Sequence, residues 1–442
     1  VPLEDGHRRP LARRALAAFG EAGLPYLSAA LRDPDLPLDV RRWVPGVFVS
    51  IETPAAYRAL VEGLPALGAG SHRLYALKAL NKIRRRRPRW NVPAEPVRSE
   101  LDRELADAYD LERQITVATA ARRSGEAPEP QIELYEAALR DAAAAAIERA
   151  FRLQGLVYPP KTIYFAYAGL TEGDTTHSAH ALELLETSLE RSDAARLVPL
   201  IDPDLTPERR AELGREWYDL RTSDLAEDLE RVLEAGEDWL RSYAVALAAA
   251  LYPERLGPEL GRLASSGPAP VRTVARHASR TEDEEEDDMS LTVVEKAAAL
   301  RRAELFGEMA AEDLLQMASV AEEREFPAGE SLFYEGEEGD YLYVVLEGRL
   351  RVERGEQEVF VATSGDTVGT FSILDRRPRS AGAVAAEPTR ALAIHRADMA
   401  QILADNYGLV ERIFDYLTGI VREMNERVYS RGGSRGDDGD EA

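Results

Sequence analysis

The sequence predicts a multidomain α+β protein, in which a long helical region precedes a compact β-roll with flanking helices. Three observations predict this fold class. From Leu11 to about Ser279, apolar residues recur at three- and four-residue spacings, which is typical of amphipathic helices. An unbroken acidic run from Glu282 to Asp288 follows. After about Glu322 the apolar period becomes two, as in half-buried strands.

The helical region consists of short paired patterns that end at Pro, Gly or Asp, such as the pattern from Arg14 to Leu31. One pair cannot bury its apolar stripes alone, so neighbouring pairs must stack into a solenoid. Two longer patterns, Glu100 to Arg123 and Pro130 to Leu153, interrupt the series. We therefore expect a solenoid over residues 1–280, with an irregular insertion near residues 91–161.

The acidic run cannot be buried, because its like charges repel one another and prefer water. It predicts a linker over residues 281–291; an acidic docking patch is the alternative. The second domain is then expected over residues 292–429. Residues 430–442 are rich in Gly and charge and almost free of apolar side chains, so we expect a disordered tail there.

Charge and composition exclude several classes of function. The chain has 79 acidic and 55 basic residues, and its net charge of -24 repels nucleic acid. It has no cysteine, which excludes disulfides and thiolate chemistry and favours a cytoplasmic location. The most apolar stretch, Tyr243 to Leu251, is too short to span a membrane. No phosphate loop, nucleophile elbow or His-Glu metal helix occurs, so we expect no enzyme activity.

Three other patterns are weak candidates for sites. His177 and His180 have a spacing that suits zinc, but no third ligand lies near them in sequence, so we expect no metal site. The run Arg84 to Arg87, followed by Arg89, is expected to close a helix, with an acidic partner or a membrane surface as the alternative. The aromatic segment Thr162 to Tyr167 is expected to lie in the core.

In the β-rich part, glycines fall where the chain must reverse, and turns of this kind need positive φ. These positions are Gly329, Gly336, Gly339, Gly348, Gly355 and Gly365. The segment FPAGESLFYEGEEGDYLYVVLEGRLRV resembles the first half of a cyclic-nucleotide-binding domain. The helical stretch ALRRAELFGEMAAEDLLQMA before it resembles that family's N-terminal helices, and residues 396–427 resemble its hinge and lid helices.

The resemblance implies that GDTVGTFSILDRRPRSAGAVA is a phosphate-binding cassette. Gly369 then opens a short helix, Phe371 to Leu374 form its apolar body, and Pro378 closes the loop. Arg379 neutralises the cyclic phosphate, while Ser380 and Ala381 complete the anion cradle. The implied ligand is cyclic AMP or cyclic GMP, and the implied binding residues are Gly369, Thr370, Phe371, Arg379, Ser380 and Ala381.

Two positions depart from the family's pattern. Thr370 replaces the usual Glu that accepts a hydrogen bond from the ribose 2′-hydroxyl, which costs on the order of 1 to 3 kcal/mol of binding free energy. Gly382 stands where many members have Thr or Ser. An alternative therefore stays open, in which the roll is degenerate and binds no nucleotide.

Segments such as ALRDPDLPLDVRRWVPGVFVSI and SHRLYALKALNKI resemble HEAT repeats. The order of repeats, linker and roll is similar to the soluble C-terminal region of bacterial nucleotide-translocase-like or major-facilitator-like transporters. This resemblance implies a transporter domain before Val1 and a location on the cytoplasmic side of an inner membrane. We expect a non-enzymatic signalling module that couples a nucleotide to the solenoid; the alternative is a scaffold that binds a protein on the solenoid face. A transcription factor is excluded because no helix-turn-helix follows the lid helix.

Overall fold

The computed structural model describes residues 9–33, 36, 38–68, 70–90, 92–171, 175–278, 290–307, 309–355, 357–405, 410, 413–414, 417–419 and 422. The predicted acidic run, most of the predicted lid helix from Leu409 to Met424 and the predicted tail lie outside these residues. Within the described ranges, no helix is long and apolar enough to cross a membrane.

The chain divides into two compact units. The first comprises Val1–Glu126 and Leu139–Arg231, and the second comprises Ala127–Ala138 and Val232–Ala442. The linker and domain boundary expected near residue 280 stay a prediction. Within the second unit, the hydroxyl of Tyr243 donates a buried hydrogen bond of 2.9 Å to the carbonyl of Ala311.

The N-terminal region is helical. Its helices are α1 Arg9–Ala17, α2 Leu24–Arg32, α3 Leu38–Arg41, α4 Val44–Ile51, α5 Pro54–Gly63, α6 Ser71–Arg86, α7 Ala94–Ser124, α8 Glu129–Val157, α9 Pro160–Thr171, α10 Thr175–Ser188, α11 Arg191–Ile201, α12 Pro207–Tyr218 and α13 Leu225–Ala235. Large apolar side chains, including Phe48, Tyr57 and Leu80, are fully buried in the core of the first unit. The two longest helices, α7 and α8, occupy the segment predicted to interrupt the helical series.

The aromatic segment on α9 differs from its prediction. Tyr164 and Phe165 are 59% and 64% exposed and pack edge-on against each other instead of entering the core. Ile163 and Ala166 are the residues of this segment that are buried. Helical spacing identifies apolar positions, but it does not say which face a neighbour covers.

The second unit contains three further helices, α14 Asp238–Leu251, α15 Pro253–Ser266 and α16 Ala269–Ala278. Two more helices, α17 Val293–Arg302 and α18 Ala311–Val320, precede the strands. Thr292 caps the start of α17 with a capping box. Its hydroxyl accepts a hydrogen bond from the amide of Glu295, and the Glu295 carboxylate accepts one from the amide of Thr292.

The strands form two four-stranded antiparallel sheets. They are β1 Glu322–Phe326, β2 Ser331–Phe333, β3 Tyr341–Glu347, β4 Leu350–Arg354, β5 Gln357–Ala362, β6 Thr367–Val368, β7 Gly382–Ala385 and β8 Thr389–His395. One sheet has the order β1-β8-β3-β6 and the other β2-β7-β4-β5. Tyr343 pairs with Ala393 in the first sheet, and Val352 pairs with Ala383 in the second. Their inward side chains form one core, which confirms the predicted change to a period of two.

A short helix, α19 Thr370–Asp375, lies between β6 and β7, and α20 Arg396–Asp405 follows β8. The resemblance predicted both helices, the short one within the cassette and the other at the start of the hinge and lid region. The α+β class is therefore supported by a helical N-terminal region and a C-terminal roll of two sheets.

A buried ion-pair cluster joins α6, α7 and α8 within the first unit. Arg73 is 1% exposed and donates to Glu104 at 2.8 Å and to Glu100. Arg149 donates to the other oxygen of Glu104 at 2.7 Å. Asp107 lies beside this cluster, where burial and then the Glu104 charge raise its pKa to about 6. The fully buried carboxylates of Glu100 and Glu104 are paired with arginines, whereas the ionised form of Asp107 is disfavoured.

We predict that Asp107→Asn stabilises the protein at pH 7.5 and has a smaller effect at pH 4. The folded state holds the Asp107 proton more tightly, so the stability of the native protein falls as pH rises from about 4 to about 6. Urea unfolding of both proteins at several pH values measures the difference. A stability gain that does not grow with pH would contradict the raised pKa.

Candidate ligand-binding site

The candidate site is built where β6 passes into α19. Gly369 stands before the helix with φ of 87°, in the left-handed region, and this reverses the chain between strand and helix. The helix ends at Asp375 and is followed by Arg376, which is also left-handed with φ of 58°. The chain then runs to β7 through the loop that carries Arg379.

The backbone of Arg379 is pinned to the turn between β2 and β3. Its amide donates to the carbonyl of Glu337 at 2.8 Å, and its carbonyl accepts from the amide of Gly336 at 2.8 Å. These two bonds fix the start of the Arg379 side chain. The side chain is 5% exposed and points inward, unlike a surface arginine.

Neutral oxygens from three parts of the roll receive the Arg379 guanidinium. Its Nη1 donates to the carbonyl of Gly369 at 2.9 Å and to the hydroxyl of Ser372 at 2.8 Å. Its Nη2 donates to the carbonyl of Tyr341 at 2.5 Å. The guanidinium carbon also lies 3.9 Å from the centre of the Phe333 ring, a cation–π contact.

The charge of Arg379 has no counter-ion in direct contact. Among the residues that the structure describes, no carboxylate lies within ion-pair distance of it, and its buried Nε has no hydrogen-bond partner. Burial lowers the pKa of this guanidinium from its usual value. A buried cation held only by neutral acceptors, with a donor left over, is arranged to attract an anion.

Two glycines flank the guanidinium. A Cβ on Gly369 would stand 2.1 Å from Nη1, and a Cβ on Gly339 would stand 2.9 Å from Nε. Gly339 was predicted to need positive φ, and this is wrong, because it is absent from the positive-φ glycines, which include Gly329, Gly336, Gly348, Gly355 and Gly365. Its role is to leave room for Arg379.

The other residues implied by the resemblance fall into two groups. Thr370 is 8% exposed, and its hydroxyl lies 3.4 Å from the hydroxyl of Thr367. Of the apolar body expected over Phe371 to Leu374, Ile373 is buried, whereas Phe371 is 52% exposed. Ser380 is exposed and Ala381 is half-buried, both next to Arg379 in the loop.

Several contacts of Arg379 were missed at the level of sequence. Ser372 was counted only as part of the helix body, although its hydroxyl accepts from Arg379 and donates to the Gly369 carbonyl at 3.1 Å. The Phe333 ring and the Tyr341 carbonyl lie 46 and 38 positions away in sequence. Only a polar residue inside a short apolar helix gave any signal, and that residue was Ser372.

The histidine pair singled out in the sequence lies on one helix of the first unit. His177 and His180 lie on α10 and are exposed, and Nδ1 of His180 contacts the carbonyl of Thr176 at 2.9 Å. No three His, Asp or Glu side chains come together as a metal-binding group in the described part of the chain.

We predict that Gly369→Ala destabilises the roll more than Gly355→Ala does. Both glycines have positive φ, but a Cβ at Gly355 meets open space, so that variant measures backbone strain alone, about 1 to 2 kcal/mol. Gly369→Ala also displaces Arg379 from its acceptors, for at least about 1.5 kcal/mol more. Hydrogen exchange of the β3 amides reports both effects. Equal losses in the two variants would contradict the packing described for Arg379.

Residues 323–406 match the sequence profile of the family described as the cyclic nucleotide-binding domain. The chain is 38% identical over 104 residues to the cyclic AMP receptor protein of Thermus thermophilus, covering 22% of this chain and 48% of that protein. It is 26% identical over 134 residues to a CRP-like cAMP-activated global transcriptional regulator of Mycobacterium tuberculosis, covering 29% of this chain and 60% of that protein.

The crystal structure of the Thermus thermophilus catabolite activator protein is similar at 27% identity, with a TM-score of 0.27, and the match covers 29% of this chain and 63% of that chain. The chain thus spans between 48% and 60% of the length of the two curated relatives. The profile match places a cyclic nucleotide-binding domain in the C-terminal part of the chain.

Proposed function

We propose that the roll binds cyclic AMP or cyclic GMP, with Arg379 holding the cyclic phosphate, and that this binding regulates the helical N-terminal region. The observation that carries the proposal is the state of Arg379. Its guanidinium is buried, it has no carboxylate within ion-pair distance in the described residues, and its Nε lacks a partner. The names of the two curated relatives mention cyclic AMP, which supports this ligand class.

The ligand's phosphate is proposed to supply the negative charge and the acceptor oxygen that the described residues do not provide to Arg379. A phosphate oxygen accepts a charge-assisted hydrogen bond from Nε, and its negative charge neutralises the guanidinium in a low-dielectric site. Gly369, Ser380 and Ala381 are proposed to line the anion with backbone groups, and the Ser380 hydroxyl is exposed for such a contact. Phe371 is proposed to meet the nucleotide with its exposed ring.

Thr370 is proposed to set the affinity at the sugar. A Thr hydroxyl is shorter than a Glu carboxylate and carries no charge, so it forms a weaker bond with a ribose hydroxyl. Its proximity to Thr367 supplies a further neutral oxygen next to it. We therefore expect a weaker binder than a domain with an acidic residue at this position.

The helical region is proposed to be a HEAT-like solenoid that transmits the ligand signal to a partner, either a protein on its face or a membrane transporter domain in the same longer chain. Its succession of short helices supports the repeat interpretation. Ligand affects this region only through a difference in affinity between two conformations of the protein. The proposal is non-enzymatic, in keeping with the regulatory names of the relatives.

We predict that the full chain binds cyclic AMP or cyclic GMP and that Arg379→Gln weakens this binding at least about 100-fold, because the charge-assisted bond from Nε and the neutralising charge of the guanidinium are both lost. Isothermal titration calorimetry measures the affinity. Arg377→Gln is the matched control, since the Arg377 side chain is 83% exposed two residues away, and we expect it to change the affinity less than about twofold.

Two results would contradict the sensor proposal. One is the absence of binding heat at millimolar cyclic nucleotide, and the other is binding that is indifferent to Arg379→Gln. The first result would favour the scaffold alternative, in which the roll is degenerate. Hydrogen exchange of the β3 amides establishes that each variant is folded.

We predict that Thr370→Glu raises the affinity for cyclic AMP by about 10- to 100-fold, because a carboxylate accepts the ribose hydrogen bond more strongly. Thr370→Gln is the control, since it has the same length without the charge. Titration calorimetry compares the two variants. An affinity for Thr370→Glu no higher than that for Thr370→Gln would disprove the proposed place of this residue at the sugar.

A further inference from the structure

A cavity in the first compact unit belongs to no site described so far. Its volume is about 510 Å³, within the range of small-molecule sites. It lies between the start of α5 and the segment that joins α6 to α7. Its lining residues are Pro54, Tyr57, Arg58, Arg89, Trp90 and Pro93.

The cavity is positively charged in a strongly acidic protein. Arg58 and Arg89 are exposed, and neither forms an ion pair with any residue of the described ranges. The neighbouring Arg86 and Arg87 are different, because both approach Glu52, at 3.7 and 3.0 Å. The described residues therefore leave the two guanidinium charges at the cavity without a carboxylate in ion-pair contact, whereas Arg86 and Arg87 have one.

The loop that carries these groups is held in place. Nη1 of Arg84 donates to the carbonyl of Pro88 at 2.7 Å and to that of Trp90 at 3.0 Å. Arg89 lies between these two acceptors in sequence, so its backbone is fixed beside the cavity. The arginines of this run therefore have different roles. Arg84 stabilises the loop through its hydrogen bonds, and Arg89 lines the cavity.

Aromatic surface lies next to the charge. The Trp90 and Tyr57 rings are tilted against each other, with centroids 6.3 Å apart. Tyr57 is 1% exposed, and its hydroxyl has no hydrogen-bond partner among the described residues. Burial raises the pKa of Tyr57 to about 12, so the hydroxyl keeps its proton and remains a donor. Tyr57 is thus a lining residue of the cavity whose neutral hydroxyl has no acceptor among the described residues.

The helix ends add to the same field. Pro54 is the first residue of α5, and Pro93 directly precedes α7, a helix of 31 residues. The amino-terminal ends of both helices are at the cavity lining, and this end of a helix carries partial positive charge. Together with the arginines they favour a negatively charged ligand.

We infer that this cavity binds a small aromatic anion, with Arg58 and Arg89 holding its charged group and with Trp90, which packs on Tyr57, contacting its ring. The inference is independent of the nucleotide site, because all of its residues lie in the first unit and none lies in the roll. It assigns the N-terminal region a ligand of its own.

The test uses 1-naphthyl phosphate as the probe, titrated calorimetrically into the full chain at low salt. 1-Naphthol supplies the ring without the charge, and inorganic phosphate supplies the charge without the ring. We expect 1-naphthyl phosphate to bind at least about tenfold more tightly than either comparator, because only it satisfies both the arginines and the aromatic wall. The same affinity is expected in Arg379→Gln, which separates this cavity from the roll.

Variants assign the binding to the cavity. Arg58→Gln combined with Arg89→Gln is expected to weaken 1-naphthyl phosphate binding at least about tenfold. Trp90→Leu is expected to weaken it about tenfold as well. Arg85→Gln is the matched control, because Arg85 is exposed on the same arginine run but does not line the cavity, and we expect less than about a twofold change.

Three results would overturn the inference: no binding at millimolar 1-naphthyl phosphate, an affinity unchanged by the double arginine substitution, or loss of binding in Arg379→Gln. Arg58 and Arg89 are exposed, so their substitution leaves the core intact. Equal thermal midpoints for the double variant and the wild type then exclude misfolding as the cause of lost binding.

Discussion

The C-terminal domain depends on the burial of one cation, Arg379. Removing a guanidinium from water is costly unless its donors find acceptors, so the surrounding chain must supply them. The acceptors come from β3, from the residue before α19 and from α19 itself, while Phe333 of β2 covers the guanidinium face. The side chain thereby joins segments that are distant in sequence. The path of the chain around α19, with Gly369 in the left-handed region, follows from the space that this guanidinium needs.

The choice of neutral acceptors has a functional consequence. A carboxylate in contact with Arg379 would stabilise it more, but it would also cancel the charge that an anionic ligand needs. Carbonyl and hydroxyl oxygens satisfy the terminal nitrogens and leave the charge in place. The cavity of the first unit also has cations without a contacting carboxylate. Arg58 and Arg89 line it and have no ion pair in the described residues, whereas Arg86 and Arg87 pair with Glu52.

Much of the roll could be predicted from sequence, because its signals are local. The change to a period of two at Glu322 coincides with the start of β1, and most turn glycines have the positive φ expected of them. The contacts of Arg379 with Phe333 and Tyr341 could not be predicted, since they depend on how the two sheets close. The same holds for the hydrogen bond from Tyr243 to Ala311, which joins α14 to α18 within the second unit. Gly339 was misjudged because a glycine needed for space looks, in sequence, like one needed for its dihedral angle.

We propose that the unpartnered Nε of Arg379 donates a hydrogen bond to a phosphate oxygen of the ligand. The most direct measurement is a crystal structure of the full chain grown with saturating cyclic AMP. We expect a phosphate oxygen within about 3 Å of the Arg379 Nε, with Gly369 still adjacent to the guanidinium. A structure in which cyclic AMP is bound elsewhere, or in which Arg379 keeps only its protein acceptors beside an empty site, would contradict the account.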